Sequence, residues 1–254
     1  MEAPPRLFAI CSWGNAGTYW LTKLLNAHPE IFCVHNVKGQ WARHTGADRI
    51  DDLDYLRIVG TQGAVYRLAG DVHGVARESI PGLRAEFGDR FRCASLVRHP
   101  VPRVRSHMTL AATAGFNSYN VDYRRLEGSL DEPLKRLLKG EERLFFAHVM
   151  ELVNSVSEEK ALGPVYALER LSSDSGNIEE LVAHLSNAEL SFPAALLDWD
   201  WRDPVNRHAS DRSAGVPETI FASLPGWQQE AFGALLGPHA RRLYEDLGYD
   251  LSFL

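Results

Sequence analysis

The feature that most constrains the fold is a short apolar segment, residues 7–12, followed at once by a small-residue loop and a helix. A continuous apolar run of this length is typical of a strand buried on both faces, as in parallel sheets. In the helix predicted over 18–27, Leu21, Leu24 and Leu25 share one face. The helix ends at His28 because the residue before Pro29 disfavours helical torsions. This strand–loop–helix unit predicts an α/β fold.

The same alternation continues along the chain. We predict further strands over 31–34, 64–69, 91–97 and 165–168, and helices over 80–87, 102–114, 132–154, 177–186 and twice within 217–247. Residues 36–62 read as loop-rich with room for one helix, and 115–131 and 198–217 as irregular. Such alternation predicts one domain over 1–254, a three-layer α/β/α fold with a central parallel sheet. Ligands of such sheets bind beyond the carboxyl ends of the strands, which indicates segments 12–18, 71–74 and 98–106.

Composition excludes several other classes of protein. The net charge of −6 argues against a nucleic-acid partner, which usually requires a basic excess. No apolar run approaches the length of a membrane span, so we expect a soluble cytoplasmic protein. Cys11, Cys33 and Cys93 lie far apart without metal-ligand spacing, which favours buried, reduced thiols and no metal site.

The loop after the first predicted strand has the composition of an anion site. Its small residues Gly14, Ala16 and Gly17 allow the backbone to turn tightly, and Thr18 adds a hydroxyl at the start of the helix. Backbone amides and the positive end of a helix dipole attract phosphate groups. A plain strand-to-helix turn would use the same small residues. The loop lacks the Gly-Lys-Ser/Thr that ends a Walker A motif.

A second candidate anion site follows the predicted strand 91–97. Arg98-His99-Pro100 ends this strand, and Ser106 lies eight residues after Arg98 on the next predicted helix. A guanidinium fork and a hydroxyl together suit a phosphate. The alternative is that Arg98 makes a surface ion pair and Ser106 is an ordinary helix residue.

Together the two motifs resemble those of the PAPS-dependent sulfotransferases, in particular bacterial-type members. Residues 15–21, Asn-Ala-Gly-Thr-Tyr-Trp-Leu, are similar to the family's 5′-phosphosulfate loop, Lys/Arg-Ser-Gly-Thr-Thr-Trp-Leu. Residues 25–31, Leu-Asn-Ala-His-Pro-Glu-Ile, are similar to the segment that follows it. Arg98 and Ser106 match the spacing of the family's 3′-phosphate motif. The resemblance implies transfer of a sulfuryl group from PAPS to a hydroxyl or amine of a small molecule or glycan, without a metal.

The resemblance also implies roles for individual residues. The 5′-phosphosulfate would be bound by the loop and the start of the helix, which comprise Gly14, Asn15, Ala16, Gly17, Thr18, Tyr19 and Trp20. Arg98 and Ser106 would bind the 3′-phosphate. His73, just after the predicted strand 64–69, would take the acceptor's proton, for which a histidine is suited near neutral pH. His35, at the end of the second strand, is the competing candidate.

The chain departs from the family pattern at three places. Asn15 stands where the family has the Lys or Arg that stabilises charge during transfer, and Lys23, Lys38 or Arg43 are the candidate replacements. The match is poor where the family has a basic loop over the 3′-phosphate, for which we name Arg207, with Arg212 as its rival. Leu168 replaces a tyrosine associated with adenine.

These departures leave two alternatives to an active sulfotransferase. One is a catalytically impaired nucleotide-binding protein of the same fold, which Asn15 and Leu168 favour. The other is a P-loop kinase, which the missing Lys-Ser/Thr and the lack of a metal-binding Asp motif disfavour.

Overall fold

The computed structural model describes residues 4–12, 15–38, 50–114, 121–160, 162–197 and 216–254. The chain divides into two compact units. The first comprises Met1–Val97 and Glu159–Arg207, and the second Arg98–Glu158 and His208–Leu254. The single domain predicted over 1–254 stays a prediction.

The first unit contains a five-stranded parallel sheet, which confirms the predicted fold class. Its strands are β1 (Arg6–Cys11), β2 (Ile31–His35), β3 (Leu68–Val72), β4 (Phe91–Val97) and β5 (Val165–Ala167). Their order is β2-β3-β1-β4-β5, and every neighbouring pair is parallel. The chain leaves β1 toward β2 on one side and passes from β4 toward β5 on the other. The topological switch point therefore lies at the carboxyl ends of the adjacent strands β1 and β4, which is where sheets of this kind bind ligands.

Helices connect the strands and complete the second unit. They are α1 (Thr18–Asn26), α2 (Asp52–Gln62), α3 (Ile80–Phe87), α4 (Pro100–Ala114), α5 (Tyr123–Ser129), α6 (Glu132–Leu137), α7 (Glu141–Asn154), α8 (Val156–Glu159), α9 (Leu168–Leu171), α10 (Ser175–Ser186), α11 (Pro217–Ala222), α12 (Gly226–Leu235) and α13 (Pro238–Asp246). Short 3₁₀ turns lie at Arg77–Ser79, Gly88–Arg90 and Ala194–Leu197.

Alternate residues of β1 point into two separate apolar layers of the first unit. Phe8 and Ile10 pack on one face with α1 and α10, whereas Leu7, Ala9 and Cys11 pack on the other with α2 and α3. A sheet covered on both faces explains why β1 is apolar from Leu7 to Cys11. The three cysteines are buried free thiols, as the sequence predicts.

The second unit is built from helices around aromatic side chains. Phe146 packs edge-on against Trp227 and Phe232, with ring centroids 5.4 and 6.3 Å apart. Asn154 joins two helices, because its amide donates to the carbonyl of Leu235 and its oxygen accepts from the backbone of Gly237.

Four predicted elements differ from those observed, and one of them is the pair of helices predicted within 217–247, where the structure has the three helices α11, α12 and α13. The strand predicted over 64–69 is wrong in position, since α2 fills part of the segment read as loop-rich and tight turns carry the chain to β3. Part of the predicted loop 115–131 forms α5, which the side chain of Asp122 caps. The helix predicted over 132–154 is interrupted at Gly140, whose φ of 88° precedes the first turn of α7. Residues 198–215 of the predicted irregular segment lie outside the described residues.

Candidate functional site

In the first unit, the carboxyl ends of β1, β2 and β3 bring together the residues at the starts of two of the three predicted ligand-binding segments, 12–18 and 71–74, with the end of the second strand. β3 lies between β1 and β2 in the sheet, so the residues that end these strands are neighbours. The imidazole rings of His35 and His73 stack with centroids 6.1 Å apart. The ring of His73 is hydrogen-bonded to Ser12, the residue after β1. The two rival histidines of the sequence analysis therefore belong to one site.

The loop between β1 and α1 has a backbone shape suited to an anion. Asn15 and Gly17 both have left-handed torsions, with φ of 54° and 76°, and Gly17 precedes the helix as its N-cap. No side chain caps α1 and its first turn carries no acidic residue. The hydroxyl of Ser12 is buried and has no hydrogen-bond partner among the residues that the structure describes. A buried polar group without a partner, beside a helix N-terminus, suits an anionic ligand. Gly14 lies outside the described residues.

Gly17 is held close to Leu168, the first residue of α9. A Cβ at position 17 would lie 2.5 and 2.8 Å from the two terminal carbons of Leu168. Leu168 itself packs against the apolar layer under α1. The Leu168 side chain therefore packs between the loop at Gly17 and the apolar layer, which differs from the adenine contact of the tyrosine that it replaces.

The first turn of α1 divides its side chains between solvent and core. Tyr19 is exposed, whereas Trp20 is buried in the apolar layer, so Trp20 can offer a ligand its backbone but not its ring. Thr18 is buried, and its hydroxyl forms a 2.9 Å hydrogen bond with Nε2 of His35. The sequence analysis did not identify this bond, which fixes the orientation of the threonine hydroxyl.

The imidazole of His35 is neutral near neutral pH. Its pKa is lowered to about 4, mainly by burial and secondly by the charge that His73 carries when it is protonated. The edge of Tyr19 covers its ring at 5.6 Å. A neutral His35 can exchange a hydrogen bond with Thr18 without adding positive charge to the site.

His73 has a strained backbone and a defined tautomer. Its φ of 78° lies in the left-handed region, which few residues other than glycine adopt, with Asn, Asp and His the most frequent among them. Its Nδ1 lies 2.6 Å from the carbonyl oxygen of Ser12. Because a carbonyl only accepts, Nδ1 must carry the proton, and in the neutral ring the lone pair is then on Nε2. This is the tautomer that a general base requires.

Asp71 holds the turn that carries His73, and the sequence analysis did not assign it this role. The carboxylate is fully buried in β3 and accepts from the hydroxyl of Tyr55 at 2.7 Å and from the backbone N–H of Gly74. Burial is the main cause that raises its pKa to about 6. An apolar pattern cannot reveal such a residue, since a buried aspartate in a strand interrupts the pattern it belongs to.

The candidate replacement cations have other partners. Lys38 forms an ion pair with Asp52, which is also bonded to the Ser79 hydroxyl. The ammonium of Lys23 lies over the ring of Tyr19, 4.8 Å from its centroid. Arg43 lies outside the described residues.

The Arg98–Ser106 motif lies at the start of α4 in the second unit. Arg98 is half-buried and lies two residues before α4, whereas the buried Ser106 lies within α4. His99 caps α4, since its Nδ1 accepts from the N–H of Val101 while its Nε2 lies 3.2 Å from the carbonyl oxygen of Asp250. His99 is therefore structural. Arg207 and Arg212 lie outside the described residues.

A first prediction concerns the protonation of His35. Because its folded-state pKa of about 4 is below the ordinary value of about 6.5, protonation opposes folding. The neutral ring of His35 therefore imposes no stability cost at pH values above the ordinary pKa, and the protein loses stability as pH falls from that value toward 4. NMR titration of the histidine rings should show His35 titrating near this low value, and H73N should raise it. A His35 that titrates at the ordinary value in the parent protein would contradict the geometry.

Two kinds of feature were not found within the described ranges. No cluster of three or more His, Cys, Asp or Glu side chains could hold a metal ion. No helix in the described part of the chain is long and apolar enough to cross a bilayer.

Comparison with known proteins supports the fold. No family model matches the sequence, and no curated protein matches it. A solved structure, a sulfotransferase from Alicyclobacillus acidocaldarius, matches with a TM-score of 0.51 over 99% of this chain and 98% of that chain, at 16% sequence identity. The chain therefore has a sulfotransferase-like α/β fold.

Proposed function

We propose that this protein is a PAPS-dependent sulfotransferase that moves a sulfuryl group to a hydroxyl or amine of a small molecule or glycan. The observation that carries the proposal is the hydrogen bond between His73 and Ser12. This bond holds the His73 imidazole against the residue that follows β1, in the tautomer with its lone pair on Nε2, which supports the role of general base proposed for it. PAPS supplies the activated sulfuryl group, and we expect the enzyme to work in the cytoplasm without a metal.

The residues of the first unit would divide the work between binding and proton transfer. Backbone amides of 14–20 and the Thr18 hydroxyl would bind the 5′-phosphosulfate, with His35 holding that hydroxyl in place. His73 would accept the acceptor's proton at Nε2, while its Nδ1–H stays on the carbonyl of Ser12. Asn15 would donate a hydrogen bond to the transferring group, where charge develops.

The 3′-phosphate would be bound by residues that the sequence motif identifies. Arg98 offers a charged fork and Ser106 a hydroxyl, and we assign Arg207 as a further cation. These assignments rest on spacing and on the resemblance between the motifs.

A catalytically impaired nucleotide-binding protein is the second candidate function. It is favoured by Asn15, which carries no charge, and by Lys38, whose charge is neutralised by Asp52. Without a cation near the transferring group, electrostatic stabilisation of the transition state would be weaker.

Incubation with sulfur-labelled PAPS and a panel of hydroxyl and amine acceptors separates the two candidates. An enzyme must transfer label above the level of a reaction without protein, and its product must depend on the acceptor. Tight binding of PAPS without transfer to any acceptor would favour the impaired protein. A preference for ATP over PAPS would contradict both and favour a kinase.

A second prediction concerns nucleotide preference. We expect 3′-phosphoadenosine 5′-phosphate to bind at least about tenfold more tightly than AMP, because hydrogen bonds to a charged group contribute roughly 1.5–3 kcal/mol. R98A should remove most of this preference, whereas R242A, at an exposed arginine of the same unit, should leave it intact. Calorimetry with both nucleotides measures the difference. Equal affinities in the parent protein would contradict the assignment of the 3′-phosphate site.

A further inference from the structure

Arg103 is a buried cation whose terminal nitrogens have no hydrogen-bond partner in the described part of the chain. It lies in α4 of the second unit with only 3% of its surface exposed. Neither Nη1 nor Nη2 has a hydrogen-bond partner among the residues that the structure describes. Arg241 in the same unit shows the usual arrangement, since its guanidinium donates to the carbonyls of Leu251 and Leu254.

An unpaired guanidinium inside a protein is unfavourable. Arginine cannot lose its charge at any accessible pH, so burial cannot be relieved by deprotonation. Buried charges are therefore found paired, hydrogen-bonded or bound to a ligand of opposite charge. The fork of donors on Arg103 is complementary to two oxygens of a single tetrahedral anion.

The surroundings of Arg103 on α4 favour an anion. Ser106 follows Arg103 by three residues, so the two buried side chains are neighbours on one helix face. His107 follows by four residues. Its pKa is lowered to about 4, first by burial and then by the charges of Arg103 and His148. The ring of His107 stacks on Phe145, with centroids 5.8 Å apart, so this neighbour of Arg103 on the helix packs against an aromatic ring.

We infer that Arg103 is a second guanidinium of the 3′-phosphate site, binding that phosphate together with Ser106 and Arg98. This inference rests on the proposed function, because the phosphate that Arg103 would bind is the 3′-phosphate of the PAPS proposed there. It adds to the sequence motif a residue that the motif does not include, and it assigns Arg103 a function that costs stability when the ligand is absent.

The inference predicts opposite effects on stability and on binding. R103M keeps most of the side-chain volume and removes the unpaired charge, so it should raise the melting temperature of the ligand-free protein. The same variant should bind 3′-phosphoadenosine 5′-phosphate at least about tenfold more weakly, with AMP affinity unchanged. R105M, at a half-buried arginine of the same helix, should change neither the melting temperature nor the affinity for 3′-phosphoadenosine 5′-phosphate. R103K keeps a charge without the fork and should also lose affinity.

Differential scanning fluorimetry and calorimetry, with and without each nucleotide, provide the test. A fall in melting temperature of ligand-free R103M, with nucleotide affinity unchanged in R103M and R103K, would show that Arg103 is structural and would overturn the inference. An equal loss of affinity for both nucleotides would also overturn it, because the effect would not involve the 3′-phosphate. A parent protein that binds neither nucleotide would overturn the proposed function instead.

Discussion

Replacing His73 by asparagine should lower turnover by about 10²–10⁴-fold, the usual contribution of a general base, without changing nucleotide affinity. Asparagine is the informative replacement, because it tolerates the left-handed torsions that position 73 requires. Its side-chain amide can also donate to the carbonyl of Ser12, as the imidazole does. The variant thus keeps the turn and removes the base. Single-turnover rates with labelled PAPS and an acceptor, beside calorimetry with 3′-phosphoadenosine 5′-phosphate, measure the two quantities.

H73G provides the matched control. Glycine adopts left-handed torsions without strain, and it leaves space where the ring was. If His73 acts as a base, added imidazole should restore part of the turnover in H73G and none in H73N. Near-normal turnover in either variant would exclude the role, which would then pass to His35 or to no side chain.

Replacing Gly17 by alanine should destabilise the protein and weaken nucleotide binding together. A Cβ in left-handed backbone costs about 1–2 kcal/mol, and displacing Leu168 adds about 1–3 kcal/mol, as overpacking does in other cores. The loop must shift to relieve either strain, and its amides then no longer converge on one point. Urea unfolding and calorimetry of G17A measure both effects.

The variant L168A separates the two causes of that loss. In the double variant G17A/L168A the crowding is gone, so only the backbone part of the G17A cost adds to the cost of L168A, and the two substitutions should be less destabilising together than the sum of their separate effects. Strict additivity would show that Gly17 and Leu168 do not interact. Normal nucleotide affinity in G17A would show that the conformation of Gly17 is not required for binding.

Local patterns account for the parts of this protein that the sequence could predict. The apolar run of β1, the small residues after it and the leucines of α1 lie close together in the chain, so they indicate strand, loop and helix directly. β4 and the helix that follows it are signalled in the same way. The alternation of such units indicates a parallel sheet but not the strand order, which depends on contacts distant in sequence.

The remaining features depend on residues that no local pattern connects. The sequence pattern predicts β3 too early in the chain because Gly70 and Asp71 resemble turn residues, yet both lie within the strand. The buried carboxylate of Asp71 accepts a hydrogen bond from Tyr55, which belongs to a helix in a segment that the sequence predicts to be mostly loop. The bond between Thr18 and His35 likewise joins the start of α1 to the end of β2, which becomes apparent only when the sheet is assembled.

The hydrogen bonds of Asp71 determine whether the conformational entropy of His73 is lost during folding or during ligand binding. They hold the turn from Asp71 to Gly74 from within the sheet, so the torsions of His73 are set when the protein folds. The entropy of ordering this residue is therefore lost once, during folding, and not again with each ligand that arrives. Amide hydrogen exchange at Gly74 should accordingly be as slow in the free protein as in its complexes, which is the behaviour of a preorganised site.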